Sequence, residues 1–107
     1  MLVVVSRKRF ERNDKPAKTH SFDTGAAWEN LALQGTAQGL VVHAMSGFDY
    51  ENARKELRIP EQYQVECMIA IGRRAKKDNL PGDLQEMEFP KGRKDLKDII
   101  LEGPFEG

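Results

Sequence analysis

The sequence predicts one small layered domain of the α/β or α+β class. Two β-branched apolar runs, residues 2–6 and residues 65–71, indicate strands, and two helical segments lie between them. A length of 107 residues is enough for one compact unit and no more. Because helices separate the two strands, we expect the strands to pair in parallel.

The first strand occupies residues 2–6. Its apolar side chains stand on consecutive positions, which is the pattern of a strand buried on both faces, so we expect a central strand. Residues 7–21 then turn strongly polar and contain the breakers Asn13, Asp14 and Pro16, which indicate a surface loop.

The clearest helix follows, with Asp23 or Thr24 as its N-terminal cap and Gly39 as its natural stop. Small residues recur around nearly its whole circumference, so neighbours can approach the backbone closely and the helix should be buried on most sides. Two buried strands and one such helix are too few to cover each other in a monomer. We therefore expect partner surface, for which a second subunit is one plausible source.

A second, shorter helix is predicted after the apolar stretch of residues 40–45. Asp49 can cap this helix, which runs to about Leu57, and Pro60 prevents its continuation. Residues 65–71 then form the second central strand.

The last third of the chain, residues 73–107, is punctuated by turns that contain proline and glycine. We expect an extended arm there, with one short element around residues 96–101. The cluster of basic residues at 73–77 lacks interleaved aromatic side chains and indicates a solvated loop, not a nucleic-acid site.

Composition excludes several classes of partner. Lys plus Arg and Asp plus Glu both number 17, so no net field draws the molecule to nucleic acid or to an anionic membrane. Cys67 is the single cysteine and cannot form an internal disulfide. No signal peptide is recognisable, and the apolar runs fall far short of the roughly 20 residues of a membrane span. We expect a soluble, cytoplasmic protein.

Three kinds of catalytic or binding site are also rejected from the residues. His20, His43 and Cys67 are too few and too scattered for a metal site. Ser46 has no base at a recognisable spacing and is no candidate nucleophile. The glycines between residues 35 and 47 lie within and after a helix, whereas a dinucleotide-binding loop lies between a strand and a helix.

Four segments and the tail, in matching order and spacing, resemble the second half of FMN-dependent nitroreductases. They are Asp23-x-Gly25-Ala26-Ala27-x-x-Asn30-Leu31-x-Leu33, Gly39-Leu40-x-x-His43-x-Met45-x-Gly47-Phe48-Asp49, Ile59-Pro60-Glu61, Ile69-Ala70-Ile71-Gly72 and Glu88-Phe89-Pro90-Lys91-Gly92-Arg93-Lys94-x-Leu96. The resemblance implies an α+β fold with a mixed sheet and an intertwined homodimer, with FMN bound at the subunit interface. The helix rich in small residues would then be a buried interface helix.

The same resemblance implies a site. Met45, Ser46 and Gly47 match the loop whose backbone amides meet the N5 and O4 edge of the flavin, where amide donors stabilise the reduced ring. The alternative is that Gly47 only permits a turn before a helix. Lys91 and Arg93 match basic tail residues that reach the FMN phosphate, and Arg93 is the better candidate, although a solvated basic stretch is the alternative. His43 can line the active site or be an interior histidine.

The resemblance implies an NAD(P)H-dependent flavin oxidoreductase that reduces nitroaromatics or quinones. The arginine-rich first helix, which makes most FMN contacts in the family, has no counterpart here. Residues 1–107 therefore resemble the C-terminal half of the domain, and residues 73–107 its arm. We expect a truncated product, a fragment, or a half-domain that needs a complementary N-terminal half. Whether this chain alone is an enzyme stays open, and a non-catalytic dimerisation module that has lost flavin binding is the alternative.

Overall fold

Three strands form an antiparallel sheet in the computed structural model, which describes residues 1–105. The strands are β1 (Leu2–Arg7), β2 (Val41–Met45) and β3 (Tyr63–Gly72), and they lie in the order β1-β3-β2. Both pairings are antiparallel, so the expected parallel pairing and mixed sheet are wrong for these strands. The α+β class itself is confirmed.

The missed strand explains the error in strand direction. Residues 41–45 read as a short apolar stretch, yet they form β2, whose five residues pair with the C-terminal half of β3. A helix returns the chain from β1 to β2, so these two strands point the same way. The third strand enters between them in the opposite direction, which places β3 and not β1 at the centre.

Helix α1 (His20–Ala37) connects β1 to β2. It begins at His20, so Asp23 and Thr24 lie inside the helix and the prediction that one of them is the N-terminal cap is wrong. The Asp23 carboxylate instead accepts a hydrogen bond from the Thr19 hydroxyl at 2.9 Å. Its end agrees with the prediction. Gly39 has a φ of +73°, a conformation that glycine adopts at little cost after a helix.

One face of α1 packs on β2 without space for a side chain at the contact. Gly35 is the single buried residue of α1. A Cβ atom on Gly35 would overlap with the Cγ2 methyl group of Val42, so glycine sets the distance between helix and strand. Most of the other α1 residues are exposed within this chain. The expected burial on most sides is therefore not provided by residues 1–105 themselves.

Helix α2 (Tyr50–Glu56) agrees with its prediction at both ends. The Asp49 carboxylate accepts a hydrogen bond from the Asn52 amide at 2.9 Å, as expected of an N-terminal cap. After the helix, Arg58 adopts a φ of +52°. The guanidinium of Arg54 donates to the carbonyls of Ile59, Pro60 and Tyr63 and so holds the turn that leads into β3.

The core of the first compact unit, Met1–Arg74, is small. Among the described hydrophobic residues, Ala17, Val65 and Ile69 are buried, and Ile69 is 1% exposed. On β1, by contrast, Leu2 and Val5 are 46% and 38% exposed. The expectation of a central first strand, buried on both faces, is therefore wrong: β1 lies at an edge of the sheet, and some of its apolar side chains are exposed.

The second compact unit, Ala75–Gly107, contains little regular structure in its described part. A turn of 3-10 helix covers Lys77–Asn79, helix α3 covers Gly82–Met87, and another 3-10 turn covers Leu96–Asp98. The last turn falls within the short element that was expected, whereas α3 was not predicted. None of the helices in residues 1–105 is long and apolar enough to cross a membrane.

Candidate functional site

The loop of Met45, Ser46 and Gly47 leaves the sheet at the end of β2. Met45 pairs with Met68 in the last rung of the β2–β3 ladder and is half-buried. Ser46 and Gly47 follow directly and are both exposed. The three predicted residues therefore form the end of β2 and the first part of its connection to α2.

The backbone of Gly47 is open to its surroundings. Its φ is not in the left-handed region, so the turn itself does not demand glycine. Apart from Gly47 and its two neighbours in the chain, no residue has an atom within 4 Å of the position that a Cβ atom would take. Within residues 1–105 Gly47 makes no hydrogen bond, which leaves its amide N–H free to donate. Neither packing nor backbone conformation within the chain explains a glycine at this position.

Two stacked aromatic rings follow the loop. The rings of Phe48 and Tyr50 stack with their centroids 4.1 Å apart and an interplanar angle of 23°. The Phe48 amide donates to the Ser46 carbonyl at 3.0 Å, which closes the turn around Gly47. The hydroxyl of Tyr50 donates to the backbone carbonyl of Glu66 at 3.3 Å.

Glu66 lies at a β-bulge in the central strand. Val4 pairs with Cys67 and Val5 with Val65, so Glu66 has no partner on β1. Its carboxylate accepts hydrogen bonds from the hydroxyls of Ser6 at 2.5 Å and Ser21 at 2.7 Å. This contact joins β1, β3 and the first turn of α1.

Counting protons places a proton on Nδ1 of the nearby His20. The single hydroxyl protons of Ser6 and Ser21 both go to Glu66. The 2.7 Å contact between the Ser6 oxygen and His20 Nδ1 is then a hydrogen bond only if Nδ1 carries the proton and donates it. Because Ser6 donates to a carboxylate and not to His20, this cluster of Ser6, His20, Ser21 and Glu66 is not a serine nucleophile with its base.

Two acid groups in this region, Glu66 and Cys67, have shifted pKa values. Burial acts to raise the pKa of Glu66, but the hydrogen bonds from Ser6 and Ser21, the charge of His20 and a bond from Gln64 together hold that pKa below its usual range. Burial, with the charge of Glu66 as a smaller cause, raises the pKa of the Cys67 thiol. Sequence reasoning missed this cluster, although an acidic residue inside the apolar run 65–71 was a visible signal.

A groove of about 400 Å³ lies between α1 and the sheet. Its walls are mainly apolar and include one carboxylate and one hydroxyl; the lining residues are Val4, Val5, Asp23, Thr24, Ala27, Trp28, Leu31 and Ile69. The indole N–H of Trp28 is buried and has no partner within residues 1–105.

Lys91 and Arg93 belong to the second compact unit, and both are exposed. The Lys91 ammonium lies 5.9 Å from the centre of the Phe89 ring, a contact of the cation–π type. Their place beside an FMN phosphate stays a prediction. His43, on β2 opposite Ala70, is exposed in this chain and is not an interior histidine here. In residues 1–105 no group of three or more His, Cys, Asp or Glu side chains could hold a metal ion.

Comparison with known proteins agrees with this fold and identifies the family. The model of the nitroreductase family matches residues 1–73, so the chain belongs to the nitroreductase family. Among the curated proteins, none matches it.

Two solved structures are similar to the chain. The crystal structure of an oxidoreductase containing FMN has 41% sequence identity and a TM-score of 0.87, covering 98% of this chain and 55% of that one. A nitroreductase family protein from Clostridium difficile 630 has 19% identity and a TM-score of 0.64, covering 96% of this chain and 58% of that one. The second likeness concerns the fold alone. The chain thus spans little more than half the length of either protein.

Proposed function

We propose that this chain contributes to an FMN-dependent NAD(P)H oxidoreductase that reduces nitroaromatics or quinones. The observation that carries the proposal is the open backbone of Gly47 in a chain of the nitroreductase family. The similar oxidoreductase that contains FMN supports the choice of cofactor. The lone, half-buried Cys67 is compatible with a reducing cytoplasm, where we place the protein.

The loop residues fit the edge of a flavin ring. A ring can approach Gly47 because its Cβ position is unoccupied for 4 Å, and its N–H is free to donate. When bound, FMN would accept a hydride from NAD(P)H and deliver it to the second substrate. The amides of Met45, Ser46 and Gly47 would stabilise negative charge on the reduced ring. Lys91 and Arg93 would engage the phosphate.

The outer face of α1 supports a second copy of the chain as partner. Phe22 and Leu33 are 79% and 61% exposed, and Ala26 and Ala37 are exposed with them. At about 3.6 residues per turn, these four residues fall within about 60° of one another. Gly35, which faces the sheet, lies on the other side of the helix. Helix α1 is therefore apolar on two opposite faces, and the chain covers one of them.

This outer face is self-complementary about a two-fold axis. In an antiparallel pairing of two α1 helices centred between residues 29 and 30, Phe22 lies opposite the partner's Ala37. Leu33 lies opposite the partner's Ala26, so each large side chain meets a small one. Glu29 lies opposite the partner's Asn30, whose amide can donate to the carboxylate. A complementary N-terminal half is the other partner that we consider.

Titration of the purified full chain with FMN tests the proposal. We expect flavin fluorescence to be quenched on binding and NADPH to be oxidised when a nitroaromatic or quinone acceptor is present. A chain that stays colourless in excess FMN and oxidises no NADPH is not that enzyme by itself.

The exposed outer face of α1 also favours a second candidate, a dimerisation module that has lost flavin binding. This module would form the same dimer without any FMN-dependent change in absorbance. A monomer in sedimentation experiments counts against it, as does tight FMN binding measured by calorimetry.

A further inference from the structure

We propose that Tyr50 is a positioning residue for the loop of residues 45–47. The inference rests on the flavin role proposed for that loop, and it concerns how the chain itself fixes the free amide of Gly47. Tyr50 is the first residue of α2 and does not belong to the loop.

The loop has few fixed points of its own. Met45 is held by pairing with Met68 at the end of the ladder. Ser46 and Gly47 are exposed, and no atom lies within 4 Å of a Cβ position on Gly47. The next fixed point along the chain is Phe48, whose amide bonds back to Ser46. The direction of the Gly47 amide therefore depends on what holds Phe48.

The ring of Tyr50 holds Phe48. The two rings lie nearly parallel with a centroid distance of 4.1 Å, and both residues are half-buried. An aromatic pair of this kind contributes beyond the area that it buries. Moving the Tyr50 ring therefore moves Phe48, and with it the turn that Phe48 closes.

The bulge in β3 gives Tyr50 a fixed anchor. Glu66 is the extra residue of the bulge and has no paired residue on β1 or β2. Its carbonyl accepts the Tyr50 hydroxyl at 3.3 Å. The side chain of Glu66 is held from the other direction by Ser6 and Ser21, so the acceptor is itself tied to β1 and α1. Tyr50 thus connects the exposed loop to a residue of the central strand whose side chain is hydrogen-bonded to β1 and α1.

Nuclear magnetic resonance on the ¹⁵N-labelled full chain tests this role without any flavin. Tyr50→Phe removes the hydroxyl and keeps the ring, and Phe48→Leu removes the stacking and keeps the hydroxyl. In both variants we expect the heteronuclear NOE of the Gly47 amide to fall and its resonance to shift. The β2 and β3 amides should stay in place, which shows that the variants are folded. Tyr63→Phe, which removes the other tyrosine hydroxyl, is the matched control.

FMN affinity gives a second, independent readout. Loss of the single hydroxyl in Tyr50→Phe should weaken FMN binding roughly three- to tenfold, in line with one hydrogen bond. Unchanged Gly47 dynamics in Tyr50→Phe, or an equal effect of Tyr63→Phe, would overturn the inference. If the unmodified chain binds no FMN, the proposed function fails. The NMR measurements on the Gly47 amide still test whether Tyr50 orders the loop.

Discussion

Glu66 is an acidic side chain in the middle of an apolar strand. It is tolerated because two serine hydroxyls and His20 surround the carboxylate, and Nδ1 of His20 lies 3.7 Å from Oε1 of Glu66. Buried charges are stable only when they are paired and hydrogen-bonded. The bulge supplies the local geometry, because the extra residue lets the strand turn this side chain toward β1 and α1.

The lowered pKa of Glu66 predicts how stability depends on pH. The folded chain holds this carboxylate ionised at pH values where the unfolded chain protonates it. Its stabilising contribution is present above the ordinary carboxyl range of about 4 to 4.5 and is lost as the pH falls through the lower folded pKa. In urea unfolding, the unmodified chain should lose stability below about pH 5.

Glu66→Gln isolates that contribution. We expect the variant to be less stable by about 1–3 kcal/mol at pH 7, and its free energy of unfolding should change less as the pH falls. Glu61→Gln, at an exposed position, is the control and should leave the loss of stability at low pH unchanged. Equal acid sensitivity in the unmodified chain and Glu66→Gln would contradict the assignment.

The Cys67 thiol should react slowly with disulfide reagents in the folded chain. Its pKa is raised by burial and, to a smaller extent, by the charge of Glu66, so little thiolate exists near neutral pH. Reaction with a disulfide reagent at pH 7.5 should be slower for folded chain than for chain unfolded in urea. Glu66→Gln should accelerate the reaction of Cys67 in the folded chain. Equal reaction rates in the folded and the unfolded chain would contradict a raised pKa for this thiol.

Local signals in the sequence predicted the features that depend on neighbouring residues. The cap at Asp49 and the stop at Gly39 are set within a few residues, and both were found where they were expected. The bond between Ser6 and Glu66 joins residues 60 positions apart, so no local pattern could reveal it. The acidic residue in an apolar run was the only available signal.

Contact between α1 and β2 depends on one glycine. Gly35 lies directly against Val42, and the γ-methyl group of valine has few rotamers in which to move aside. The helix and the strand therefore approach more closely than any other residue type would allow.

Gly35→Ala should destabilise the chain by about 1–3 kcal/mol, because the added methyl group overpacks the contact with Val42. Gly25→Ala is the matched control on the same helix. No atom lies within 4 Å of its Cβ position, so alanine should raise stability by up to about 1 kcal/mol through helix propensity. Urea unfolding measures both changes, and a neutral Gly35→Ala would show that the contact relaxes freely.

Strand order was the element-scale feature that the sequence did not provide. The β-branched residues in Leu2–Arg7 indicated a strand correctly, but consecutive apolar residues did not distinguish an edge from a centre. A groove lined by Val4 and Val5 runs beside β1, so part of the apolar surface of this strand is open within residues 1–105.

At the scale of the whole molecule, more large apolar side chains are exposed than buried among the described residues. Of the described hydrophobic residues three are buried, whereas Phe22, Leu33 and many others are more than half exposed. Apolar patches of this kind mark interaction surfaces. The sequence predicts a need for partner surface, because small residues recur around nearly the whole circumference of α1, and this stays a prediction. The sequence does not predict the identity of the partner.

Leu33→Lys should separate a dimer formed through α1. Leu33 lies on the outer apolar face of the helix, and symmetry places the change in the interface twice, so the dimer dissociation constant should rise roughly 100-fold or more. Gln34→Lys adds the same charge one residue further on, away from that face, and should leave assembly unchanged. Analytical ultracentrifugation measures both. A dimer that tolerates Leu33→Lys is formed through another surface.

The open backbone of Gly47 is tested most directly by filling it. Gly47→Val adds a side chain whose Cβ position is more than 4 Å from every residue except its two chain neighbours, so the fold should be unaffected while a flavin edge is displaced. Gly72→Val is the control, since its Cβ position is equally empty and it lies at the end of β3. In calorimetric titrations with FMN, we predict at least a roughly tenfold loss of affinity for Gly47→Val and little change for Gly72→Val. Equal FMN affinity in Gly47→Val and the unmodified chain would contradict the proposed flavin site.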